Sequence, residues 1–252
     1  MKIITVTLAP NQAVLTCYLQ DQSSKMPNVA IRPAMLVVPG GGYQYCSDRE
    51  GEPVALAYMA QGFNAFVLRY TADATTPIDK ALQDGAAAMD YLRANAAELE
   101  IDPQQIAAVG FSAGGHLAST LGTHFDQQSR PNFMILFYPV ISLTEMYTHQ
   151  GSKINLLGDK SEDVNLIKYF SNDKQVSAQT PPTLLLLSDD DKSVPTVNST
   201  LFYNQLKKYS IPASIYIFPS GGHGWGCNKS FKYYNEWQTL MFDWLSSQKL
   251  VP

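Results

Sequence analysis

A serine with a glycine on either side is the residue whose surroundings most strongly suggest chemistry. The segment 110–114 reads Gly-Phe-Ser-Ala-Gly, between an apolar run at 106–109 and a run of small residues at 115–121 that is typical of a helix. A sharp turn between a strand and a helix needs such glycines if it is to expose the hydroxyl of Ser112 over the end of a sheet. This pattern arises by chance about 0.1 times in a chain of this length. The rest of the sequence must therefore show whether Ser112 is a functional residue or a coincidence.

Acyl transfer by a serine also requires a base and a carboxylate that orients the base, because a serine hydroxyl is a weak nucleophile near neutral pH. His223 lies in a glycine-rich loop, 221–225, directly after the last predicted strand, and such a loop can bring an imidazole over the carboxyl edge of a sheet. Three candidates for the carboxylate, Asp189, Asp190 and Asp191, follow the preceding predicted strand. Composition does not choose between them, and at least two are typical of a solvated acidic turn.

The other three histidines are weaker candidates for the base. His116 follows Ser112 by four residues on the same predicted helix, so we expect it to pack beneath the turn rather than reach the hydroxyl. His124 falls at the end of that helix, where a cationic or capping role is ordinary. His149 is interpreted either as a solvated residue or as a substrate contact.

The negative charge that develops on an ester oxygen during attack needs backbone N–H donors, each worth roughly 2.7–4 kcal/mol. Ala113 is expected to supply one of them at the N-terminus of the helix, where the helix dipole also helps. The glycine run 40–42 is expected to supply the rest, since residues without a Cβ let the backbone approach a bound ester closely. As a phosphate-binding loop the run is weak, because no Gly-Lys-Ser/Thr follows it.

The order of predicted elements indicates an α/β fold, in which helices flank a mostly parallel sheet of about eight strands. Two β-rich segments open the chain as an antiparallel hairpin at a sheet edge, at 3–8 and 13–19. Strand and helix patterns alternate after them, with strands at 34–38, 65–70, 106–110, 133–137, 183–187 and 213–218, and helices at 53–61, 77–97, after Ser112, 197–209 and 231–247. Residues 140–180 interrupt this rhythm with one short predicted helix at 161–170, and we interpret them as a cap-like insertion over one end of the sheet.

Length and composition predict a single globular domain over residues 1–252. A chain of 252 residues with 45% hydrophobic composition can bury a large core. The formal net charge of −4, without a cluster of lysine and arginine, predicts neither a nucleic-acid nor a membrane partner. Neither H-x-x-x-H nor C-x-x-C spacing occurs, so no metal and no cofactor is expected.

Two features of the sequence predict a cytoplasmic location. Polar residues break the apolar run of segment 1–18, which therefore lacks the apolar stretch of a signal peptide. The three cysteines, Cys17, Cys46 and Cys227, are odd in number and widely scattered, which favours reduced thiols over a disulfide framework.

A homodimer is possible, although its interface does not follow from the sequence. The apolar N-terminal strands are one candidate face, and the last predicted helix, with Trp237, Phe242 and Trp244, is another. Aromatic residues at helical spacing also suit the core of the same chain, which is the alternative for the second face.

Taken together, these motifs resemble the α/β-hydrolase superfamily. Within it they resemble the small esterase branch of hormone-sensitive-lipase-like enzymes and bacterial acetyl- and carboxylesterases, including acetylxylan-esterase-like proteins. The resemblance extends over nearly the whole chain, in the segments 38–43, 49–55, 110–118, 191–195 and 221–225. The order serine, aspartate, histidine along the chain is also that of the superfamily. The resemblance implies an α/β-hydrolase fold.

The resemblance also implies roles for individual residues. The acidic member of the triad in that family stands three residues before Val-Pro, which corresponds to Asp191 here. The oxyanion donors would be the N–H groups of Gly41, Gly42 and Ala113.

One departure from the family pattern is Pro39, which stands where many relatives have a histidine ahead of the three glycines. The change keeps the glycine amides but removes a side chain that would help to hold their loop. Arg49 and Glu50 are interpreted either as a buried ion pair that holds the loop instead or as part of a surface turn.

The function that these expectations support is that of a serine esterase, which forms an acyl-enzyme on Ser112 with Asp191 and His223. A short acyl group, acetate foremost, on a carbohydrate or another small alcohol is the expected substrate, because the insertion offers no strongly apolar lid for lipid droplets. Three aromatic residues beside the motifs, Tyr43, Tyr45 and Trp225, are expected either to narrow the acyl site or stack on a sugar, or to be ordinary packing residues.

Other functions stay open at this point. An arylformamidase would share the same serine turn and attack an N-formyl group with the same triad. A peptidase of the prolyl-oligopeptidase kind is weaker, because the chain is too short for the large propeller that such enzymes usually carry. A non-catalytic binding protein on the same scaffold is a distant third, because all three triad residues are present.

Overall fold

A computed structural model of the chain describes residues 1–25, 27–72, 79–144 and 146–249. Eight strands form one sheet in the spatial order β1-β2-β4-β3-β5-β6-β7-β8. The strands are β1 (Lys2–Leu8), β2 (Ala13–Leu19), β3 (Arg32–Val38), β4 (Asn64–Arg69), β5 (Ile101–Phe111), β6 (Phe133–Phe137), β7 (Thr183–Ser188) and β8 (Ala213–Phe218). β1 pairs with β2 and β2 with β4 antiparallel, and every other pairing is parallel. The mostly parallel sheet and its edge hairpin are therefore confirmed.

Helices cover both faces of the sheet, which is why the central strands are apolar on both sides. Seven α-helices lie in the described residues: α1 (Glu52–Met59), α2 (Asp79–Ala94), α3 (Ser112–His124), α4 (Gln150–Leu157), α5 (Val164–Tyr169), α6 (Val197–Lys208) and α7 (Tyr234–Ser247). Alternate residues of β3 pack on opposite layers, Leu36 with α2 and α3, and Met35 with α1 and α7. The carboxyl ends of the parallel strands consequently share one edge, where open α/β sheets bind ligands.

Several element boundaries differ from the predicted ones. The described part of α2 begins at Asp79, and the predicted start at Pro77 lies outside the described residues. β5 begins at Ile101 rather than 106, because Ile101 pairs with Arg32 across an irregularity in the ladder. The last helix begins at Tyr234 rather than 231.

The insertion contains one helix more than predicted. The short helix predicted at 161–170 is α5, which begins after Asp163, whose side chain accepts hydrogen bonds from the N–H groups of Asn165 and Leu166. α4 is not predicted by the sequence. It begins after His149, whose ring accepts a hydrogen bond from the N–H of Ser152 and caps the first turn.

The aromatic residues of the last helix face the core. Trp237 and Trp244 are buried in the layer that also contains α1, and Phe242 packs edge-on against Tyr58. The alternative in which these residues form a dimer face is therefore wrong for the two tryptophans, while the homodimer itself stays a prediction. None of the helices in the described ranges is long and apolar enough to cross a membrane.

Candidate active site

A strained serine joins the central strand to the helix that follows it. β5 ends at Phe111 and α3 begins at Ser112, whose φ of +52° is in the left-handed region. A non-glycine residue in this conformation is held there by its surroundings, as at many functional sites. The two flanking glycines allow the turn, since a Cβ on Gly110 would lie 2.5 Å from the carbonyl oxygen of Gly114, and a Cβ on Gly114 would overlap the carbonyl oxygen of Val38.

The hydroxyl of this serine is hydrogen-bonded to His223. The distance from Ser112 Oγ to His223 Nε2 is 2.8 Å, and His223 Nδ1 lies 2.6 Å from Asp191 Oδ2. A carboxylate next to Nδ1 fixes the proton of the neutral imidazole on that nitrogen, so that Nε2 is free to accept the serine proton. Ser112 and Asp191 are both largely buried, and both partners of the imidazole are thus shielded from water.

The three aspartates of the acidic loop have different surroundings. The second oxygen of Asp191, Oδ1, accepts hydrogen bonds from the N–H groups of Ser193 at 2.8 Å and Val194 at 2.9 Å, which orient the carboxylate toward His223. Asp190 accepts a hydrogen bond from the N–H of Gly222 at 2.8 Å, and Asp189 is exposed. Only Asp191 of the three therefore contacts the imidazole.

Two backbone N–H groups without an acceptor in the described part of the chain belong to glycines that line the same cavity as Ser112. Gly41 and Gly42 have φ values of +127° and +65°, and their N–H groups have no acceptor among the residues that the structure describes. Ala113 is in the first turn of α3, where N–H groups have no intrahelical acceptor. The N–H of Gly40 is different, because it donates to Glu50 Oε2 at 2.9 Å. Two of the three glycines and Ala113 are thus available to a developing oxyanion.

A cavity of about 280 Å³ opens over these groups, and both Ser112 and His223 line it. This volume is just below the usual range of ligand pockets, roughly 300–1,000 Å³. Its wall is about half polar, and its polar side chains come from the loop after β3, the insertion and the acidic loop: Gln44, Tyr45, Arg49, His149, Asn155 and Ser193. The cavity therefore has room for a small group next to the serine.

Two of the three predicted substrate contacts are packing residues. Tyr43 is buried, and its hydroxyl donates to His116 Nδ1 at 2.8 Å beneath the glycine loop 40–42, which we call the oxyanion loop after its proposed role. Trp225 is buried as well, donates to Ser188 Oγ at 3.0 Å and stacks on Phe231 with 4.2 Å between the ring centroids. Neither lines the cavity, so their interpretation as pocket residues is wrong, whereas Tyr45 does line it and is 57% exposed.

Glu50 is buried, but its partner is not Arg49. Its two oxygens accept hydrogen bonds from the N–H of Gly40 and from the hydroxyl of Tyr138, at 2.9 Å and 2.8 Å. Arg49 is exposed at the cavity wall, and the described residues contain no ion pair between it and Glu50. The predicted ion pair is therefore wrong, although Glu50 does hold the oxyanion loop. Burial raises the pKa of Glu50, against the hydrogen bonds from Tyr138 and Gly40.

The remaining histidines have structural partners. His116 packs beneath the turn as predicted, with Nε2 donating to the carbonyl oxygen of Phe170 at 2.7 Å, and burial lowers its pKa to about 4. His124 contacts the carbonyl oxygen of Tyr169, and burial lowers its pKa too, which disfavours a cationic role. His149 caps α4 and also lines the cavity, so its interpretation as a substrate contact stays open.

The sequence does not predict the part that α4 plays at the site. Asn155 donates from Nδ2 to the carbonyl oxygen of Gly42 at 2.8 Å, so the insertion is attached directly to the oxyanion loop. No local pattern marks this asparagine, because its partner lies 113 residues away in the chain.

The chain is similar to bacterial enzymes that are named as a xylanase and as an acetylxylan esterase. The model of the BD-FAE family matches residues 18–206. Endo-1,4-beta-xylanase B of Butyrivibrio fibrisolvens is 42% identical over 224 residues, which are 83% of this chain and 34% of that protein. Acetylxylan esterase of Xylanibacter ruminicola is 35% identical over 254 residues, or 98% of this chain and 51% of that protein. The chain thus spans about a third and about half of the lengths of these two relatives.

Solved structures share the fold over almost the full chain. The acetyl ester-xyloside bifunctional hydrolase from Caldicellulosiruptor lactoaceticus superposes with a TM-score of 0.89 at 39% identity, over 96% of this chain and 90% of that one. The carboxylesterase Cest-2923 from Lactobacillus plantarum superposes with a TM-score of 0.84 at 26% identity, over 100% of this chain and 99% of that one. The fold is accordingly that of the α/β-hydrolases.

Proposed function

The chain belongs to the BD-FAE family, and on that premise we propose that it is a serine esterase that removes short acyl groups, acetyl above all, from carbohydrates. The strongest support is the hydrogen-bonded series Ser112, His223 and Asp191, with distances of 2.8 Å and 2.6 Å. A nucleophile, a base and an orienting carboxylate in this arrangement are the requirements of acyl transfer by a serine. The free N–H groups of Gly41 and Gly42 beside the serine add the oxyanion site.

Acylation of the serine is the first half of the proposed reaction. Ser112 Oγ attacks the carbonyl carbon of the ester while His223 Nε2 takes its proton, and Nδ1–H keeps its hydrogen bond to Asp191. The oxyanion of the tetrahedral intermediate accepts hydrogen bonds from Gly41, Gly42 and Ala113, each worth roughly 2.7–4 kcal/mol of transition-state stabilisation. His223 then returns the proton to the ester oxygen as the bond to the alcohol breaks.

Water completes the cycle by the same route. It enters the place that the alcohol has left, gives a proton to His223 Nε2 and attacks the acyl carbon. The second tetrahedral intermediate collapses when the bond to Ser112 Oγ breaks and His223 protonates this oxygen. The carboxylic acid leaves, and the free serine is restored.

Two observations support an acetylated sugar as the substrate. The cavity of about 280 Å³ is small, and its wall carries the amides and hydroxyls that bind a polyol rather than an alkyl chain. Two relatives are named acetylxylan esterase and acetyl ester-xyloside bifunctional hydrolase.

For the location of the protein we propose the cytoplasm. This location is supported by Cys17, Cys46 and Cys227, which are all free thiols.

Labelling with a fluorophosphonate, together with rates on esters of increasing acyl length and on acetylated xylose, tests this function. Wild-type protein should incorporate one label, and Ser112→Ala should lose both the label and the hydrolysis. Ser193→Ala is the matched control, because Ser193 also lines the cavity but its hydroxyl is not bound to His223. Rates should fall steeply beyond short acyl chains.

Two results would contradict the proposal. If Ser112→Ala still labels and still hydrolyses acetyl esters, the mechanism is wrong. If the wild type turns over N-formyl aromatic amines but no ester, an arylformamidase replaces the esterase.

A further inference from the structure

A buried carboxylate next to the candidate active site has no part in the triad. Glu50 is 3% exposed and lines the cavity. Its Oε2 accepts a hydrogen bond from the N–H of Gly40, at the start of the oxyanion loop. Because this N–H is occupied, the glycine run offers only Gly41 and Gly42 to an oxyanion.

The other oxygen of Glu50 leads to the loop that carries His223. Glu50 Oε1 accepts a hydrogen bond from the hydroxyl of Tyr138 at 2.8 Å, and the same hydroxyl accepts one from the N–H of Gly226 at 2.9 Å. The ring of Tyr138 packs against the imidazole of His223, with 4.8 Å between the ring centroids. A single carboxylate therefore holds one loop directly and the other through the phenol.

Holding two loops does not by itself require a negative charge. An uncharged amide in the place of Glu50 could accept the hydrogen bond from Gly40 with its oxygen and donate one to the hydroxyl oxygen of Tyr138 with its nitrogen, without the cost of burying an ion. That cost is present in Glu50, since burial is the main cause that raises its pKa. The carboxylate of Glu50 and the imidazole of His223 both contact Tyr138 and both line the cavity, so the negative charge of Glu50 lies close to the imidazolium that forms when His223 takes a proton.

We propose that Glu50 is a positioning residue for catalysis: it fixes the oxyanion loop and the His223 loop, and its charge stabilises the imidazolium that forms when His223 takes the serine proton. This role rests on the proposed esterase function. Asp191 stabilises the same imidazolium from the Nδ1 side, so the site supplies two carboxylates for one transient positive charge. In a partly buried site such charges interact more strongly than in water.

Other titratable groups lie near His223 and Glu50, and they also contribute to a pH profile of the activity. His223 is faced by Asp191, by the phenol of Tyr138 and by His149 of the insertion, whose pKa is lowered by burial and then by His223. Glu50 accepts a hydrogen bond from Tyr138, and the other ionisable groups that interact with its charge are Arg49, Cys227 and Tyr70, the residue after β4. Arg49 lies beside Gly224 but is exposed, so water screens its charge more than that of Glu50.

Glu50→Gln removes the charge, while the amide oxygen can still accept from the N–H of Gly40 and the amide nitrogen can donate to the hydroxyl oxygen of Tyr138. We expect kcat on a short acetyl ester to fall about 10- to 100-fold, with KM changed by less than about 3-fold. The sign of the pH effect follows from the charge: a carboxylate that favours the imidazolium keeps the acid limb of kcat/KM at higher pH. In Glu50→Gln the midpoint of this limb should therefore move down by about 0.5 to 1 pH unit.

Two further variants separate the charge from the hydrogen bonds. Tyr138→Phe removes the link between the loops but keeps the carboxylate, so it should lower kcat and leave the acid limb in place. Glu52→Gln is the matched control, because Glu52 is an exposed carboxylate two residues further along the chain. It should change neither kcat nor the limb. Thermal unfolding and the rate of fluorophosphonate labelling show whether each variant is folded.

The outcomes distinguish the positioning role of Glu50 from the esterase function on which that role rests. A wild type that neither labels nor hydrolyses esters contradicts the esterase function itself. An active wild type overturns the role of Glu50 if Glu50→Gln keeps full kcat, and it overturns the role of the charge if kcat falls while the acid limb stays in place. If Glu50→Gln does not fold, Tyr138→Phe still tests the link, which full kcat in that variant would contradict.

Discussion

Asn155 Nδ2 donates a hydrogen bond of 2.8 Å to the carbonyl oxygen of Gly42, and this bond joins the helix α4 to the glycine loop that we propose as the oxyanion site. The glycine conformation at 42, with φ of +65°, turns the carbonyl toward α4 and leaves the N–H without an acceptor in the described residues. The insertion is therefore part of the site's scaffold as well as of its wall, since Asn155 also lines the cavity.

Removal of this hydrogen bond should loosen the oxyanion loop without removing a catalytic group. For Asn155→Ala we expect kcat/KM on an acetyl ester to fall about 5- to 10-fold, as for the loss of one hydrogen bond of about 1 kcal/mol. Asn165→Ala on the exposed face of α5 should leave kcat/KM unchanged. Steady-state kinetics on both variants check this, and equal rates for Asn155→Ala and the wild type would show that the loop is held by other contacts.

Much of the fold is predictable because its signals lie within single segments. The strands β2, β6 and β8 begin and end at the predicted residues, since each is an apolar or alternating run between polar residues. The helix α4 is not predictable in this way. Its first turn is capped by the ring of His149, whereas capping preferences point to serine, threonine, aspartate and asparagine.

The residues of the candidate site are likewise predictable only in part. The serine, the imidazole and the three aspartates are marked by motifs and by their order in the chain. Of the groups that hold them, Glu50 lies in a segment that carries the family resemblance, but its partner Tyr138 is not marked, because the two residues are 88 positions apart and meet only in the folded chain. Proximity in sequence also misleads: Tyr43 directly follows the oxyanion glycines, but its φ of +60° belongs to a turn that places the side chain beneath the loop.

The acidic loop allows a test in which three neighbouring residues serve as controls for one another. Asp191→Asn should lower kcat about 10⁴-fold, because the amide no longer holds the imidazole tautomer that accepts the serine proton. Asp190→Asn keeps an oxygen for the N–H of Gly222 and should cost less than about 10-fold. Asp189→Asn should have no effect, since Asp189 is exposed. Steady-state measurements of kcat show which aspartate is the acidic member of the triad. A large loss of kcat in Asp190→Asn with a small loss in Asp191→Asn would assign this role to Asp190 instead.

The two oxyanion glycines should differ in their tolerance of a methyl group. A Cβ on Gly41 would overlap the carbonyl oxygen of Tyr45, so Gly41→Ala has to displace the loop, and we expect kcat to fall at least about 100-fold. A Cβ on Gly42 would meet no atom closer than 4.0 Å. Gly42→Ala should therefore lose only about 1–2 kcal/mol of stability from its positive φ and keep kcat within about 10-fold. Kinetics and thermal unfolding check both, and equal losses of kcat would contradict the steric argument.

The buried imidazole of His116 should make the stability of the protein decrease as the pH falls. Burial lowers its pKa from 6.5 to about 4, so the folded protein keeps it neutral where the unfolded chain protonates it. Such a group contributes stability above pH 6.5 that is lost as the pH falls toward 4. The difference of about 2.5 pH units corresponds to about 3 kcal/mol in the free energy of unfolding.

His116→Asn isolates this contribution, because the amide oxygen can still accept from the hydroxyl of Tyr43 but does not titrate. At pH 7.5 the variant should be less stable than the wild type, since it lacks the hydrogen bond to the carbonyl oxygen of Phe170. Between pH 7.5 and 4 the stability advantage of the wild type should shrink by about 3 kcal/mol. Urea unfolding at four pH values measures the free energy of unfolding of both proteins, and His124→Asn is the control at a less buried histidine. If the stability advantage of the wild type stays constant with pH, His116 is not the cause of the acid sensitivity.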